Sequence, residues 1–303
     1  MSNTVFKTPA DIIADGEQGH VFQNGVFYRK GTTTATHQNA AEYQKIIIQS
    51  QLSDQDNQKI TKIINDQRLM TNMLRYGMYI DQFPLIEWFS DHQFEGRMMP
   101  ALLLLIQFPD LMTEEIHKVL LQIKKTVKKP TLDLIEKSVK AYDAYVKSKN
   151  LTNDFLASLA KQYIHALETK NIDFIKNIWF EDGCLIVPGE KKPIVGKDAI
   201  IHFTSQNFDN FKQLKVTLLD HQVNTHLLEG WASLNATLKL DVNVNKTSKY
   251  RSEKAPTNAK LSIVFKRLDR PSIQPMLLDE SMKEIDQMWG ITLFHESFNY
   301  PIT

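Results

Sequence analysis

The stretch Ala232-Ser-Leu-Asn-Ala-Thr-Leu-Lys-Leu-Asp-Val-Asn-Val244 alternates apolar and polar residues over its whole length. Successive side chains of a β-strand point to opposite faces, so this alternation predicts one long antiparallel strand. One face of that strand should lie on a core, and the other should be exposed to water or covered by a partner. The second half of the chain is therefore expected to contain a sheet with one buried face.

Further strands are predicted on both sides of this one. A shorter alternation precedes it, the polar residues 245–258 form a hairpin tip, and a third alternation returns along the sheet. The apolar positions of the two flanking runs are Leu214, Val216, Leu218, Leu261, Ile263 and Phe265. Trp289–Phe298 supplies a final strand, and we expect the long segment 268–287 before it to cover the mouth of the sheet or the domain junction.

Three helices are predicted before the long strands. Thr152 or Asn153 caps the first, the second runs from Ile172 to about Phe180, and the third covers 197–203. A strand at 184–187 lies between the last two helices and is followed by Pro188-Gly189. This order predicts an α+β fold in which a curved antiparallel sheet wraps over three helices as a cone.

The first half of the chain has helical spacing of apolar residues from Ala35 to Asn150. It predicts an all-α domain of about six helices with a small N-terminal β-hairpin, whose turn is Asn24-Gly25. Helix starts are expected at Ser53-Asp54 and at Thr113-Glu114, and helix breaks at Pro84, Pro100, Pro109 and Pro130. The polar residues 147–150 are the predicted junction, which gives a helical domain at 1–149 and an α+β domain at 150–303.

Composition argues against several classes of function. The chain has 36 Lys plus Arg against 35 Asp plus Glu, so no strong field attracts nucleic acid or an anionic membrane. The longest apolar run is too short to span a bilayer. The N-terminus resembles no signal peptide, so we expect a cytoplasmic protein.

No cofactor or metal site is predicted. Cys184 is the single cysteine, which leaves no intramolecular disulfide and no multi-cysteine zinc site. Asp220, His221 and His226 lie near a predicted turn but lack a further ligand at regular spacing. No glycine-rich phosphate fingerprint is present, and we assign the residues around Lys30-Gly31 to a turn and helix cap.

The second domain carries a family resemblance in its opening segments. The run Tyr163-Ile-His-Ala-Leu-Glu-Thr-Lys-Asn-Ile-Asp-Phe-Ile175 through Phe180-Glu-Asp-Gly-Cys-Leu-Ile-Val-Pro188 resembles the helix-helix-strand opening of the nuclear transport factor 2-like superfamily. Gly196-Lys-Asp-Ala-Ile200 is similar to that superfamily's Gly-x-x-Ala-Ile entry to the third helix. The resemblance covers residues 151–300 and implies a fold shared with ketosteroid isomerase and SnoaL-like cyclases.

The resemblance assigns specific positions to the chemistry of ketosteroid isomerase. In that enzyme a tyrosine donates to the substrate oxygen, one aspartate moves the proton, and a second, protonated aspartate completes the oxyanion hole. An ungapped match places Tyr163 on the tyrosine, Val187 on the proton-transferring aspartate and Ile263 on the second aspartate. Hydrocarbon side chains transfer no protons, so isomerisation by this mechanism is not available at these positions.

Two histidines are the remaining candidates for a base. His295 shares strand parity with Ile291 and Leu293, so we expect it on the same side of the sheet as those residues. His202 is next to Phe203 on the third helix. Each is a candidate base with Tyr163 as donor, and each is also compatible with a purely structural role.

The leading hypothesis is a non-catalytic module that binds a small hydrophobic molecule or a peptide segment in the mouth of the cone. The expected lining residues are Tyr163, Trp179, Val187, Phe203, Leu234, Ile263, Phe265 and His295. The alternative is a SnoaL-like or ketosteroid isomerase-like enzyme, an isomerase, cyclase or dehydratase. A third hypothesis is an interaction protein, because the resemblance implies homodimers formed through the outer face of the sheet.

Overall fold

A computed structural model describes residues 20–23, 26–29, 32–76, 84–91, 93–187, 190–244, 258–267 and 289–298. The chain divides into two compact units, Met1–Val146 and Lys147–Thr303. The predicted turn Asn24-Gly25, most of the hairpin tip at 245–258 and the segment 268–287 lie outside the described residues.

The first unit contains a hairpin and a set of helices. Its strands β1 (His20–Gln23) and β2 (Val26–Arg29) pair antiparallel, which confirms the predicted hairpin. The α-helices that lie wholly within this unit are α1 (Thr32–Ile47), α2 (Asp54–Arg68), α3 (Thr71–Tyr76), α4 (Glu95–Gln107) and α5 (Glu114–Ile123). Two 3-10 helices occupy Leu85–Phe89 and Pro109–Leu111.

Helix starts in this unit follow the sequence closely. Ser53 begins α2 with a capping box, in which its hydroxyl accepts from the amide of Asp56 and the Asp56 carboxylate accepts from the Ser53 amide. The hydrogen bonds from the Ser53 side chain and backbone lower the pKa of Asp56. Thr113 caps α5 through the amide of Ile116. Local capping chemistry was therefore sufficient to predict these two starts.

Helix α4 forms the centre of the helical core, and its residues from Met98 to Leu105 are all buried. The predicted break at Pro100 is wrong, because this proline lies inside α4. Proline lacks the N–H that would bond to residue i−4, here Gly96. Burial of the flanking Met and Leu side chains offsets the loss of one hydrogen bond.

Helix α6 (Lys129–Glu168) continues through the predicted polar junction at 147–150. The expected helix cap at Thr152 or Asn153 is therefore wrong. Residues 131–168 contain neither glycine nor proline, so nothing local ends the helix. Ser148 and Thr152 are also buried, so these polar residues do not form an exposed linker.

The second unit contains the end of α6, two shorter helices and a six-stranded sheet. The helices are α7 (Ile172–Ile178) and α8 (Lys197–Phe208). The strands are β3 (Trp179–Ile186), β4 (Ile194–Val195), β5 (Phe211–His226), β6 (Trp231–Val244), β7 (Asn258–Arg267) and β8 (Trp289–Phe298). Their order across the sheet is β4-β3-β8-β7-β6-β5.

This arrangement is the α+β fold expected from the sequence, with a curved sheet over helices. One face of β6 lies on the core, as its alternation predicts, because Ala232, Leu234, Ala236 and Leu238 are all buried. One pair differs from the antiparallel prediction, since β3 runs parallel to β8, and the sheet is therefore mixed. Within the described part of the chain, no helix combines the length and the hydropathy required to cross a membrane.

Candidate functional site

The inner face of the sheet is the surface that the helices cover. Leu234 of β6 pairs with Ile263 of β7, and Ile263 pairs with Phe294 of β8. Phe265 pairs with Ala232 on one side and Ile291 on the other. These six side chains are all buried, so the centre of this face consists of hydrocarbon and aromatic groups.

Tyr163 of α6 is the polar residue that the sequence placed inside this domain. It is 2% exposed, as is Trp179 at the start of β3. The indole N–H of Trp179 donates a hydrogen bond of 3.2 Å to the Tyr163 hydroxyl. The Tyr163 ring also lies 5.3 Å from the ring of Phe294. Tyr163, Trp179 and Phe294 therefore form one buried aromatic cluster, and the hydrogen bond from Trp179 could not be predicted from the local sequence.

The two positions that the resemblance assigns to carboxylates differ in their surroundings. Ile263 is 0% exposed at the centre of the inner face. Val187 is half-buried and lies one residue after the end of β3. Ile263 thus occupies packed core, and Val187 occupies a less enclosed position at a strand end.

His295 does not lie where strand parity predicted. Val264 pairs with Leu293 while the next residue, Phe265, pairs with Ile291, so Thr292 is an extra residue in β8. Such a β-bulge exchanges the two faces for every residue that follows it. Phe294 consequently takes the inner face, and His295 is exposed. The prediction that His295 shares a side with Ile291 is wrong for this reason.

His202 is exposed on α8, and its Nε2 lies 2.9 Å from Nε2 of Gln206 one turn later. Its neighbour Phe203 is half-buried. Neither histidine belongs to the buried cluster around Tyr163. Of the eight expected lining residues, the structure buries Tyr163, Trp179, Leu234, Ile263 and Phe265 together.

The inner face becomes less enclosed towards the edge strand β5. Leu218 pairs with the buried Leu238 but is itself half-buried, and Val216 and Leu240 beside it are also half-buried. The amide of Val216 donates to the carboxylate of Glu168 at the end of α6, so this helix end is attached to β5. The β5 side is therefore where apolar side chains of the inner face reach the surface.

Asp220, His221 and His226 also lie on or at the end of β5. A carboxylate oxygen of Asp220 accepts from the amide of Thr237, and His226 stacks on Trp231 with ring centroids 3.9 Å apart. In the described parts of the chain, no three His, Cys, Asp or Glu side chains are grouped closely enough to hold a metal ion.

Comparisons with known proteins agree with this architecture. Residues 156–271 match the family model of the SnoaL-like domain. The chain has no match among curated proteins.

Three solved structures are similar to the second half of the chain. A candidate aromatic ring hydroxylase from Novosphingobium aromaticivorans is 21% identical, with 48% of this chain and 87% of that chain covered and a TM-score of 0.37. A nuclear transport factor 2-like superfamily protein from Salmonella enterica is 10% identical, with 51% and 95% covered and a TM-score of 0.40. An uncharacterised protein with a cystatin-like fold from Caulobacter vibrioides is 17% identical, with 49% and 89% covered and a TM-score of 0.37.

The order of helices and strands, the enclosed inner face and the match over residues 156–271 agree with the resemblance found in the sequence. Residues 156–271 of this chain therefore match a SnoaL-like domain and have the α+β fold that the resemblance to the nuclear transport factor 2-like superfamily implies.

Proposed function

We propose that the C-terminal domain is a non-catalytic module that binds a small hydrophobic molecule on the inner face of its sheet. The observation that carries the proposal is the apolar chemistry of this face, where Ile263 occupies the position that the resemblance assigns to the second aspartate, while Val187 at the end of β3 occupies the position of the proton-transferring aspartate. A binding site for an apolar molecule needs buried hydrocarbon and few polar groups, and the inner face offers this composition.

The burial and hydrogen bonding of Tyr163 favour a binding role for the domain over a catalytic one. A catalytic donor must reach the reacting atom of a substrate. Tyr163 is 2% exposed, so its O–H does not reach a substrate at the surface, and its oxygen accepts from the buried Trp179. Tyr163 is therefore best explained as a structural residue that satisfies the buried indole.

The positions of the two candidate histidines also favour a binding role over catalysis. The alternative, a SnoaL-like isomerase, cyclase or dehydratase, needs a base within hydrogen-bond reach of the substrate. His202 and His295 are both exposed, outside the cluster that contains Tyr163. The enzyme alternative would need another base or a rearrangement of β8.

The entrance for a ligand is proposed at the β5 side, where Leu218, Val216 and Leu240 are half-buried. Two adjacent leucines provide a matched test of this entrance. Leu218 faces inward opposite Leu238, whereas Leu219 is 54% exposed at the irregularity between Leu218 and Asp220. The same substitution can thus be made on opposite sides of one strand.

The test is a fluorescence titration of the full chain with Nile red, a neutral apolar dye. We expect saturable binding that Leu218→Glu weakens about tenfold, because a carboxylate at the entrance must be desolvated by the ligand. Leu219→Glu should change the affinity less than about twofold. Absence of saturable binding, or equal effects of the two variants, would refute the proposal.

The enzyme alternative is tested by a separate assay of proton abstraction. Incubation with a cyclic ketone in D2O reports proton abstraction at the α-carbon as deuterium incorporation. We expect no incorporation above the level of a Tyr163→Phe variant. Incorporation that depends on Tyr163 would show that the domain is catalytic and would overturn the non-catalytic assignment.

A protein-interaction role is the second candidate, since the outward positions of β6 include Asn235, Thr237, Lys239 and Asp241. This polar row is suited to a wet contact between two sheets. Sedimentation equilibrium of the full chain tests it: a dimer that Thr237→Arg dissociates would support the contact, and a monomer would exclude it at the concentrations used.

A further inference from the structure

The helical unit contains a cavity of about 710 Å³ that the family assignment does not explain. It lies between α1, the 3-10 helix Leu85–Phe89 and the beginning of α4. Its volume is within the range of about 300–1,000 Å³ that small-molecule sites occupy. All of its lining residues belong to the first unit.

One wall of the cavity is fixed by the side chain of Gln44. Its Nε2 donates to the carbonyl of Gln93 over 3.0 Å, and its Oε1 accepts from the amide of Gly96 over 2.7 Å. A Cβ at Gly96 would lie 2.1 Å from the carbonyl oxygen of Ala40, so only glycine allows α4 to approach α1 this closely. Two hydrogen bonds and a close backbone contact therefore define the shape of the wall.

The described lining combines apolar residues, among them Trp88, Phe94 and Pro100, with polar ones, among them Thr36, His37 and Gln44. Trp88 and Pro100 are buried, whereas Phe94 is 54% exposed. An aromatic side chain this exposed beside a buried tryptophan provides a flat apolar surface that a ligand ring can cover. The body of a matching ligand is therefore flat and apolar.

The charged lining residues Asp91 and Arg97 determine which polar group a matching ligand carries. Asp91 accepts a hydrogen bond from the backbone amide of Gln93, so its carboxylate has a partner within its own turn. The guanidinium of Arg97 makes no hydrogen bond or ion pair within the described part of the chain, and Asp91 does not pair with it. A guanidinium matches a carboxylate with two parallel hydrogen bonds.

We infer that this cavity is a binding site for a small aromatic carboxylate, whose ring lies against Trp88 and Phe94 and whose carboxylate pairs with Arg97. This inference concerns the helical unit and does not depend on the function proposed for the C-terminal domain. It assigns a role to a part of the chain outside the matched residues 156–271.

The test is calorimetric titration of the full chain with 2-naphthoate, 2-naphthylmethanol and 2-naphthylmethylammonium. These three probes share a ring system and differ in charge. We expect the naphthoate to bind most tightly, and Arg97→Ala to weaken it about tenfold, as for loss of a charge-assisted hydrogen bond. The neutral alcohol should lose less than about twofold in the same variant.

Arg68→Ala is the matched control, since Arg68 is an exposed arginine of the same unit that does not line the cavity. It should leave naphthoate binding unchanged. Ala41→Trp places a large ring at an exposed lining position of α1 and should weaken all three probes. Thermal melting confirms that each variant is folded.

Three results would overturn the inference. The first is no naphthoate binding up to about 1 mM, the weakest affinity of interest for a specific site. The second is an equal effect of Arg97→Ala and Arg68→Ala, which would indicate general attraction of an anion to the surface. The third is tighter binding of the ammonium probe, which would assign the polar contact to Asp91.

Discussion

The indole N–H of Trp179 donates to the hydroxyl of Tyr163 over 3.2 Å, and the two residues are separated by 16 positions in the chain. The contact joins α6 to the first residue of β3 inside the C-terminal domain. It gives Tyr163 a structural explanation that requires no catalytic role.

Removal of this hydrogen bond should lower the free energy of unfolding of the chain, whether or not a ligand is bound. Tyr163→Phe leaves the buried indole N–H without this acceptor, which we expect to cost about 1–3 kcal/mol in the free energy of unfolding. Urea denaturation of the wild type, Tyr163→Phe, Trp179→Phe and the double variant measures it. A coupling energy near zero in this cycle would contradict the proposed role of the pair.

The position of Ile263 explains why a carboxylate is absent from the inner face. Ile263→Asp places a carboxyl group between Leu234 and Phe294, its two apolar strand partners. We expect a loss of about 3–5 kcal/mol or complete unfolding, because an unpaired charge would be buried.

Ile263→Val is the control for this position, since it removes one methyl group and adds no charge. It should lower the free energy of unfolding by about 0.5–1.5 kcal/mol. Thermal melting and urea denaturation compare the two variants. Similar losses for both would mean that packing volume, and not charge, limits this site.

A part-buried ion pair should stabilise the helical unit. Two guanidinium nitrogens of Arg75 each lie 2.7 Å from a carboxylate oxygen of Asp110, and the Arg75 side chain is 10% exposed. The guanidinium also lies 4.5 Å from the ring centre of Phe108. Asp110→Asn should cost about 1.5–3 kcal/mol, because it weakens two charge-assisted hydrogen bonds.

The pair Lys62–Asp66 is the control for this prediction, since its lysine is well exposed. Asp66→Asn should change the free energy of unfolding by less than about 1 kcal/mol, as solvent screens exposed pairs. Both variants are compared in urea at one salt concentration. Equal losses would show that burial of Arg75 adds nothing to its ion pair.

Tyr43 should make the free energy of unfolding depend on pH in the alkaline range. Burial raises the pKa of Tyr43 well above its ordinary value of 10.0, and the hydrogen bond with Thr131 opposes part of this increase. A tyrosine in the unfolded chain releases its proton near pH 10, while Tyr43 retains its proton in the folded chain. The contribution is therefore fully present below about pH 10 and is lost as pH rises above it.

The measurement is urea denaturation between pH 8 and pH 11.5. Above pH 10 the wild type should lose up to about 1.4 kcal/mol per pH unit more than Tyr43→Phe, which has no proton to release. Tyr142→Phe, a half-buried tyrosine of the same unit, is the matched control. If Tyr43→Phe and the wild type have the same pH dependence, Tyr43 is not the responsible group.

Features that depend on neighbouring residues could be predicted from the amino-acid sequence. The alternation from Ala232 to Val244 predicted both the strand and its buried face, because strand side chains alternate whatever lies across from them. Ser53 and Thr113 predicted two helix starts, because capping bonds join residues three positions apart. The opening motifs near Tyr163 were sufficient to predict the family and hence the fold of residues 156–271.

Features that depend on distant partners could be seen only in the folded chain. The extra residue Thr292 turns His295 to the outside, and its effect is visible only when β8 is paired with β7. Pro100 remains inside α4 because burial of surrounding side chains offsets a lost hydrogen bond. The hydrogen bond between Trp179 and Tyr163 and the cavity beside Arg97 are likewise formed by elements that come into contact only on folding. Local sequence patterns therefore cannot predict them.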